Sequence, residues 1–335
     1  MVWIVLAFLG TALLFYVLLG GADFGAGILE IFTGKKGIDV ISKAIAPVWE
    51  ANHVWLIVVI VILFMGFPAV YSTMMLVLHI PMLLLLIGII LRGSSFTFRY
   101  YDIKQERLQN VYTAFFKFSS LFTPFFLGVI LGSVILGQIT LDMSEGFVRV
   151  FISPWVNFFS FSMGVFVVAL FTFLASLYLL GEANKEKDIL LFTRYARIWV
   201  VVLVLSGLLV FIAGEVDGLP LFNMFMNSTG SIISVVLATL LIPALWWSIH
   251  KHQSLGIRLI AGAQTVLVLL GWFMIQYPVL IKISGRPDIT VESAVAPDAT
   301  LRQLIIALII GLMVVIPSLV YLFKVFKFGD PEPDY

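Results

Sequence analysis

The chain is dominated by long apolar stretches that alternate with short polar ones. Each stretch is long enough to cross the roughly 30 Å hydrocarbon core of a bilayer as a helix. The stretches lie at residues 2–22, 53–71, 74–91, 118–137, 156–180, 196–213, 230–249, 257–277 and 303–323. We therefore predict an all-α, polytopic membrane protein with nine transmembrane helices. The second and third are divided at Gly66-Phe67-Pro68, because their combined length is too great for one span.

The connecting segments are too short to form a separate domain, so we predict a single integral membrane domain over residues 1–335. The helix count favours two four-helix bundles, the first to fourth and the fifth to eighth helices, with the ninth peripheral. Residues 38–46 are predicted to form a small interfacial helix, since Ile38, Ile41 and Ile45 would share one face.

Composition agrees with a membrane protein and narrows its chemistry. Hydrophobic residues make up 61% of the 335, and charged residues 12%, whereas soluble domains are nearer half apolar and a quarter charged. The net charge of +1 gives no support for a nucleic-acid partner. Because the chain has no cysteine, it has no disulfides, thiolate metal sites, iron–sulfur clusters or thioether-linked haem. No basic region precedes the first apolar stretch, which predicts a retained helix rather than a cleaved signal.

The distribution of lysine and arginine predicts the orientation in the membrane. With nine spans, 16 of the 20 basic residues fall on one side and 4 on the other. Cytoplasmic loops carry the excess of basic residues. We therefore predict an N-terminus outside and a C-terminus in the cytoplasm.

Two carboxylates, Asp23 and Glu50, lie at the predicted cytoplasmic ends of the first two helices. Ionisable groups at membrane depth are costly and are functional hypotheses by default. Asp23 is flanked by Gly21 and Gly25, a small-xxx-small spacing that lets helices approach closely. Asp23 is either a snorkelling acid beside a packing motif or a buried carboxylate that accepts protons.

Glu50 and Asn52 directly precede the second predicted helix, which begins at His53. One interpretation is helix capping, in which the acid complements the helix dipole and Asn52 is the cap. The other is a hydrogen-bonded proton relay, because Glu50 and His53 at i,i+3 would share a face with Asn52 between them.

The remaining polar candidates are Arg92 and the histidines. Arg92 at the end of the third helix either snorkels to the cytoplasmic interface or holds a polar headgroup, Asp23 or Glu50. His53 and His79 differ in predicted depth by about 20 Å, too far to ligate one haem from both faces. A single axial ligand stays open, but a lone histidine in a membrane helix is more often a hydrogen-bonded packing residue. We predict no haem or metal bound by this chain alone.

Several motifs resemble subunit II of the cytochrome bd-type quinol oxidases. They cover about the first hundred residues, while the later helices match in length, number and hydropathy. The motifs are Gly21-Ala22-Asp23-Phe24-Gly25-Ala26-Gly27, Pro47-Val48-Trp49-Glu50-Ala51-Asn52-His53-Val54-Trp55-Leu56, Phe67-Pro68, Arg92-Gly93 and Phe98-Arg99.

The resemblance implies a nine-helix, haem-free subunit of the aerobic respiratory chain in the cytoplasmic membrane of a bacterium or archaeon. It implies a partner subunit I with haems b and d and the quinol site, often with small single-helix subunits. Quinol oxidation and reduction of oxygen to water would build a proton gradient without pumping. Asp23 and Glu50 match acids on a proposed cytoplasmic proton path, and Trp49 and Arg92 match positions near a structural quinone in some members.

The sequence departs from the family pattern at two positions. Some members carry another acid where Leu19 stands, and some have Asp at the position of Glu50. Two alternatives remain: a secondary transporter, for which paired carboxylates and glycine-interrupted helices are also typical, and a purely structural scaffold for subunit I. Against the transporter, the acids lie near one face rather than the midplane, and no inverted repeat is evident.

Overall fold

The computed structural model describes residues 1–46, 49–101, 106–251 and 253–327. Over these ranges it contains nine helices that are long and apolar enough to span a membrane, which confirms the predicted number. Pro47 and Val48 of the second motif lie outside the described residues. The spanning helices are α1 Val2–Thr33, α2 Trp49–Gly66, α3 His79–Tyr101, α4 Glu106–Leu136, α5 Phe158–Glu182, α6 Glu186–Val216, α7 Thr229–His250, α8 Ser254–Gln276 and α9 Asp298–Lys327.

Several helices extend well beyond the apolar stretches that predicted them. α1 continues to Thr33 rather than ending at residue 22, and α4 begins at Glu106 rather than at 118. Hydropathy marks where a helix crosses lipid, whereas a helix continues into the polar interface as long as its backbone hydrogen bonds and packing persist. As a consequence, Asp23 lies inside α1 rather than at its end.

The split between the second and third helices is confirmed, but its geometry differs from the prediction. Phe67 leaves the helical conformation, with φ −136° and ψ 62°, and Pro68 opens a separate short helix, Pro68–Val77. Proline favours the first turn of a helix because its missing N–H has no helical partner there. The third span therefore begins at His79, five residues later than predicted.

α5 lies at the centre of the fold. In its most apolar window, 83% of the residues are buried, against 11% for α9. α5 packs against α1, α4, α6 and α8, while α9 packs against α1 and α2 at the edge. Because α5 contacts helices of both predicted groups, the two-bundle arrangement stays a prediction. The sidedness of the chain likewise stays a prediction from its charge asymmetry.

Short elements cover the two ends of the helices. The segment predicted as an interfacial helix forms Ile38–Ile45, and its residues Ile41 and Ile45 are buried against α1 and α5 rather than facing lipid. At the other end, β1 Val279–Ile281 pairs antiparallel with β2 Ile289–Thr290. This pair is joined to α4 by a hydrogen bond from the Lys282 N–H to the Val134 carbonyl, 2.9 Å long.

The close approach predicted from the glycine spacing is confirmed where α1 meets α5. A Cβ atom on Gly25 would lie 1.9 Å from the carbonyl oxygen of Phe171, and one on Gly21 would lie 2.7 Å from the Phe171 ring. The backbone of α5 therefore occupies the space of any larger residue, and this contact fixes the register of α1 against α5.

We expect Gly25→Ala to destabilise the fold by about 3 kcal/mol, because the added methyl group must push α1 away from the α5 backbone. Gly10→Ala is the matched control, since nothing lies within 4 Å of the place that its methyl group would take and alanine favours a helix over glycine. Thermal unfolding of the purified protein in detergent measures both. Equal stability of the two variants would contradict the assigned contact.

Candidate functional site

Asp23 is buried at the contact of α1 and α2. Its side chain is 7% exposed, and Asn52 in the first turn of α2 donates a hydrogen bond from Nδ2 to Asp23 Oδ2 at 2.5 Å. Directly before it, residues Tyr16–Gly20 form a π-helical turn, the kind of bulge that redirects side chains and is frequent at functional sites. The predicted buried position of Asp23 is thus observed, and the snorkelling alternative does not hold.

Glu50 and His53 lie on either side of Asn52 but do not meet. Glu50 is exposed on the surface of the chain. The His53 ring contacts the edge of Phe24, with centroids 5.7 Å apart, and its Nδ1 has no hydrogen-bond partner among the residues described. In the same part of the chain no side-chain hydrogen bond joins Glu50 to His53. Asn52 donates its hydrogen bond to Asp23 instead of bridging Glu50 and His53.

Arg92 in α3 is buried, with 1% of its surface exposed, so the snorkelling interpretation does not hold for it. Its guanidinium lies over the rings of Phe24 and Phe116, 4.5 and 5.5 Å from their centroids. It also interacts electrostatically with Asp23 and Tyr16. None of its three nitrogens has a hydrogen-bond partner within the described ranges. The site therefore combines a buried cation of unused hydrogen-bonding capacity with a buried carboxylate.

Trp49 packs against α3 at the residue that follows Arg92. A Cβ atom on Gly93 would lie 3.3 Å from the Trp49 ring, and the ring is 5.5 Å from that of Phe96. Glycine at 93 therefore lets the indole lie close to the backbone of α3. Arg92 belongs to the same helix, and a quinone site shared by Trp49 and Arg92 stays a prediction.

A second buried ionic cluster was missed in the sequence. Glu30 is fully buried, and Arg99 Nη1 donates to both of its carboxylate oxygens at 2.9 Å. Lys117 Nζ lies 3.8 Å from Glu30 Oε1. Placing the end of the first helix at residue 22 put Glu30 in a loop. The signal was available, because Glu30 follows Asp23 by seven residues and Arg99 follows Arg92 by seven, a spacing that keeps each pair on one helix face.

A partly open cavity of about 100 Å³ lies beside Asp23. Its polar lining residues are Asp23 and Asn52, which are buried, and Tyr178 and Glu182 of α5, which are partly exposed. Glu182 forms a 2.9 Å ion pair with Arg258 of α8. At about 30 Å³ each, roughly three waters fit in this volume. A buried carboxylate beside a cavity large enough for water is able to accept and release protons.

Among the residues that the structure describes, no group of three or more His, Cys, Asp or Glu side chains is placed to hold a metal ion. His79 lies 13 residues before Arg92 on α3, a distance of about 20 Å along the helix, and its Nδ1 is 2.9 Å from the Leu76 carbonyl oxygen. The polar groups that converge on one place are therefore Asp23, Asn52 and Arg92.

Fold and site together define a polytopic helical membrane protein with a buried acid, amide and guanidinium at one level. The chain belongs to the family described as cytochrome bd terminal oxidase subunit II, whose model matches residues 1–326. The resemblance to subunit II of the bd-type quinol oxidases is thereby confirmed, and membership implies a subunit I partner that carries haems. The transporter alternative is not favoured.

Individual relatives agree with this assignment. Cytochrome bd ubiquinol oxidase subunit 2 of Bacillus subtilis (strain 168) is 27% identical over 331 residues, 96% of this chain and 94% of that protein. Cytochrome bd-I ubiquinol oxidase subunit 2 of Escherichia coli (strain K12) is 29% identical over 130 residues, 38% of this chain and 34% of that protein. A chain in the structure of bd oxidase from Geobacillus thermodenitrificans has the same fold, with a TM-score of 0.77 and 22% identity over 98% of this chain and 99% of that one.

We expect Glu30→Gln to lower the unfolding free energy by about 3 kcal/mol, because it leaves the partly buried Arg99 and Lys117 without their buried counter-charge. The control is Glu145→Gln, which breaks an exposed ion pair with Arg149 of the kind worth at most about 1 kcal/mol. Thermal unfolding of the purified complex measures both. A Glu30→Gln protein as stable as the control would show that the cluster does not stabilise the fold.

Proposed function

We propose that this chain is the haem-free subunit of a bd-type quinol oxidase, where it stabilises subunit I and supplies part of the cytoplasmic proton path for reduction of oxygen to water. The complex would lie in the cytoplasmic membrane of a bacterium or archaeon. The observation that carries the proposal is Asp23, a carboxylate buried between membrane helices yet bordering a cavity large enough for water. An acid with a purely structural role has no need of that access.

In this proposal Asp23 receives the proton and Asn52 orients its carboxylate. Glu50 lies two residues before Asn52 on the same short helical turn and is exposed on the surface of this chain. It is therefore the acid suited to face subunit I and pass the proton on. His53 is the next residue along that turn. Its Nδ1 has no hydrogen-bond partner in the described part of the chain. In this proposal that nitrogen joins the proton path through a water molecule.

Arg92 contributes a fixed positive field. Arg92 interacts electrostatically with Asp23, so in this proposal it balances the negative charge of the carboxylate after each proton has left. Because Arg92 is held between two aromatic rings rather than bonded to Asp23, it would act through the field without blocking the carboxylate oxygens.

The absence of haem from this chain is part of the proposal and is supported by its residues. The chain has only four histidines and no cysteine. Of the two within predicted helices, His53 and His79 lie in α2 and α3, separated by the short helix Pro68–Val77. Haems b and d would then be held by subunit I, and the apolar outer faces of this chain would contact subunit I, a small single-helix subunit or lipid.

We expect Glu50→Gln to assemble with all haems and to lose oxidase turnover by about 100-fold, as removal of a proton-transferring acid does. Asp23→Asn should show a similar or milder loss. Quinol-dependent oxygen consumption per haem measures the effect, and Glu292→Gln, an exposed acid on the opposite side, is the control.

Full turnover in both assembled variants would remove the proton-path proposal and leave the scaffold function. Transport of a solute by this chain reconstituted alone would instead restore the transporter alternative.

A structural quinone at Trp49 and Arg92 is a second proposal. It is supported by the buried guanidinium, whose donors are unused within the described ranges and suit a carbonyl oxygen, and by the indole beside it. Such a group, when bound, would brace the helices rather than react. In this arrangement Arg92 binds one oxygen and Trp49 packs against the ring.

We expect Arg92→Leu to reduce the quinone extracted per haem from the purified complex by about tenfold, because one charge-assisted hydrogen bond is lost. Trp49→Leu should reduce it less, and Arg302→Leu, an exposed position in α9, should leave it unchanged. Extraction of equal amounts of quinone from all three variants and the parent would contradict the proposal.

A further inference from the structure

We propose that the cavity beside Asp23 is the cytoplasmic mouth of the proton path, and that Glu182 is the acid that collects protons there. The inference rests on the proposed proton-uptake function and adds the place where the proton enters this chain. Neither Glu182 nor Tyr178 was among the residues expected to carry that function, and both line the cavity together with Asp23.

Three elements form most of the cavity wall, namely α1, α5 and the short helix Ile38–Ile45, and α2 adds Asn52. Asp23 and Asn52 form its inner end. Glu182 is the last residue of α5, seven residues or about 10 Å beyond Ala175, which also lines the wall. The charge asymmetry predicts this end of α5 to be cytoplasmic. The cavity therefore extends from the buried carboxylate toward the side from which the chemical protons are taken.

The cavity exists because the facing side chains are small. Alanine occupies the wall at four positions contributed by all three elements: Ala22, Ala26, Ala44 and Ala175. The Gly25 contact holds α1 and α5 together at the level of Phe171, and the alanines leave space beyond that contact. The polar lining residues Asp23, Asn52, Tyr178 and Glu182 provide the hydrogen-bond partners that buried water requires.

Glu182 is suited to the mouth because it touches both solvent and cavity. Its side chain is 32% exposed and pairs with Arg258, itself 36% exposed. The carboxylate accepts a proton from hydronium in cytoplasmic water and releases it to a cavity water. A proton then passes from the innermost water to Asp23, and Glu182 is again ionised. One proton moves inward and no electron is transferred.

The test uses the purified oxidase complex with its haem content measured for every variant. Glu182→Gln removes the collecting acid at a half-exposed site, where folding should be unaffected. Ala175→Leu fills the cavity without changing charge. The matched controls are Glu186→Gln, an exposed acid four residues further on, and Ala307→Leu, an exposed alanine on α9. Oxygen consumption is measured in H₂O and in D₂O.

We expect Glu182→Gln and Ala175→Leu to lower turnover by about tenfold with haems retained, and to increase the solvent isotope effect because proton delivery becomes limiting. Glu182→Asp should restore most of the rate, and both controls should match the parent enzyme. A structural defect alone would not raise the isotope effect.

Full turnover in haem-replete Glu182→Gln, together with loss of turnover in Asp23→Asn, would overturn this entrance and leave the proposed function intact. The same holds if the rate of Glu182→Gln falls with an unchanged isotope effect. Full turnover in Asp23→Asn would instead overturn the proposed function itself. If Ala175→Leu fails to assemble, the rates of Glu182→Gln and Glu182→Asp decide whether Glu182 collects the protons.

Discussion

The compensation of buried charge is the constraint on which the rest of this structure depends. An ionised group taken out of water is costly unless a counter-charge or hydrogen bond accompanies it. α1 and α3 meet this requirement twice, with Asp23 facing Arg92 and, about 10 Å further along, Glu30 bonded to Arg99. The two levels differ: Glu30 is locked by direct ion pairs, while Arg92 keeps its donors unused within the described ranges. The directly bonded Glu30 suits a role in stability, and the Arg92 guanidinium with unused donors suits a role in chemistry.

Helix packing supplies the geometry in which that compensation works. The glycine contact of α1 on the α5 backbone fixes the rotation of α1, so that its acids face inward rather than toward lipid. The same contact determines where space remains, because the small side chains beyond it do not fill the gap that the backbones leave. A tight contact and an adjacent cavity thus have a common origin in residue size along two helices.

Membership in the oxidase family bears on the function that these features serve. In the proposed function this subunit would act through its partner, by holding subunit I in place and by bringing protons to it. The buried Asp23 and the exposed Glu50 differ in a way that suits this division, since one acid lies inside the chain and the other on the surface available to a partner.

The sequence by itself determined the number of spanning helices, the division at Phe67-Pro68 and the glycine contact. These follow from local rules: apolar length, the missing N–H of proline and residue size. Only the tertiary structure decided that α1 continues to Thr33, that Asn52 bonds Asp23 rather than bridging Glu50 and His53, and that Glu30 pairs with Arg99 and Lys117. Those features depend on residues 29 to 87 positions apart, whose meeting is set by helix packing and not by sequence period.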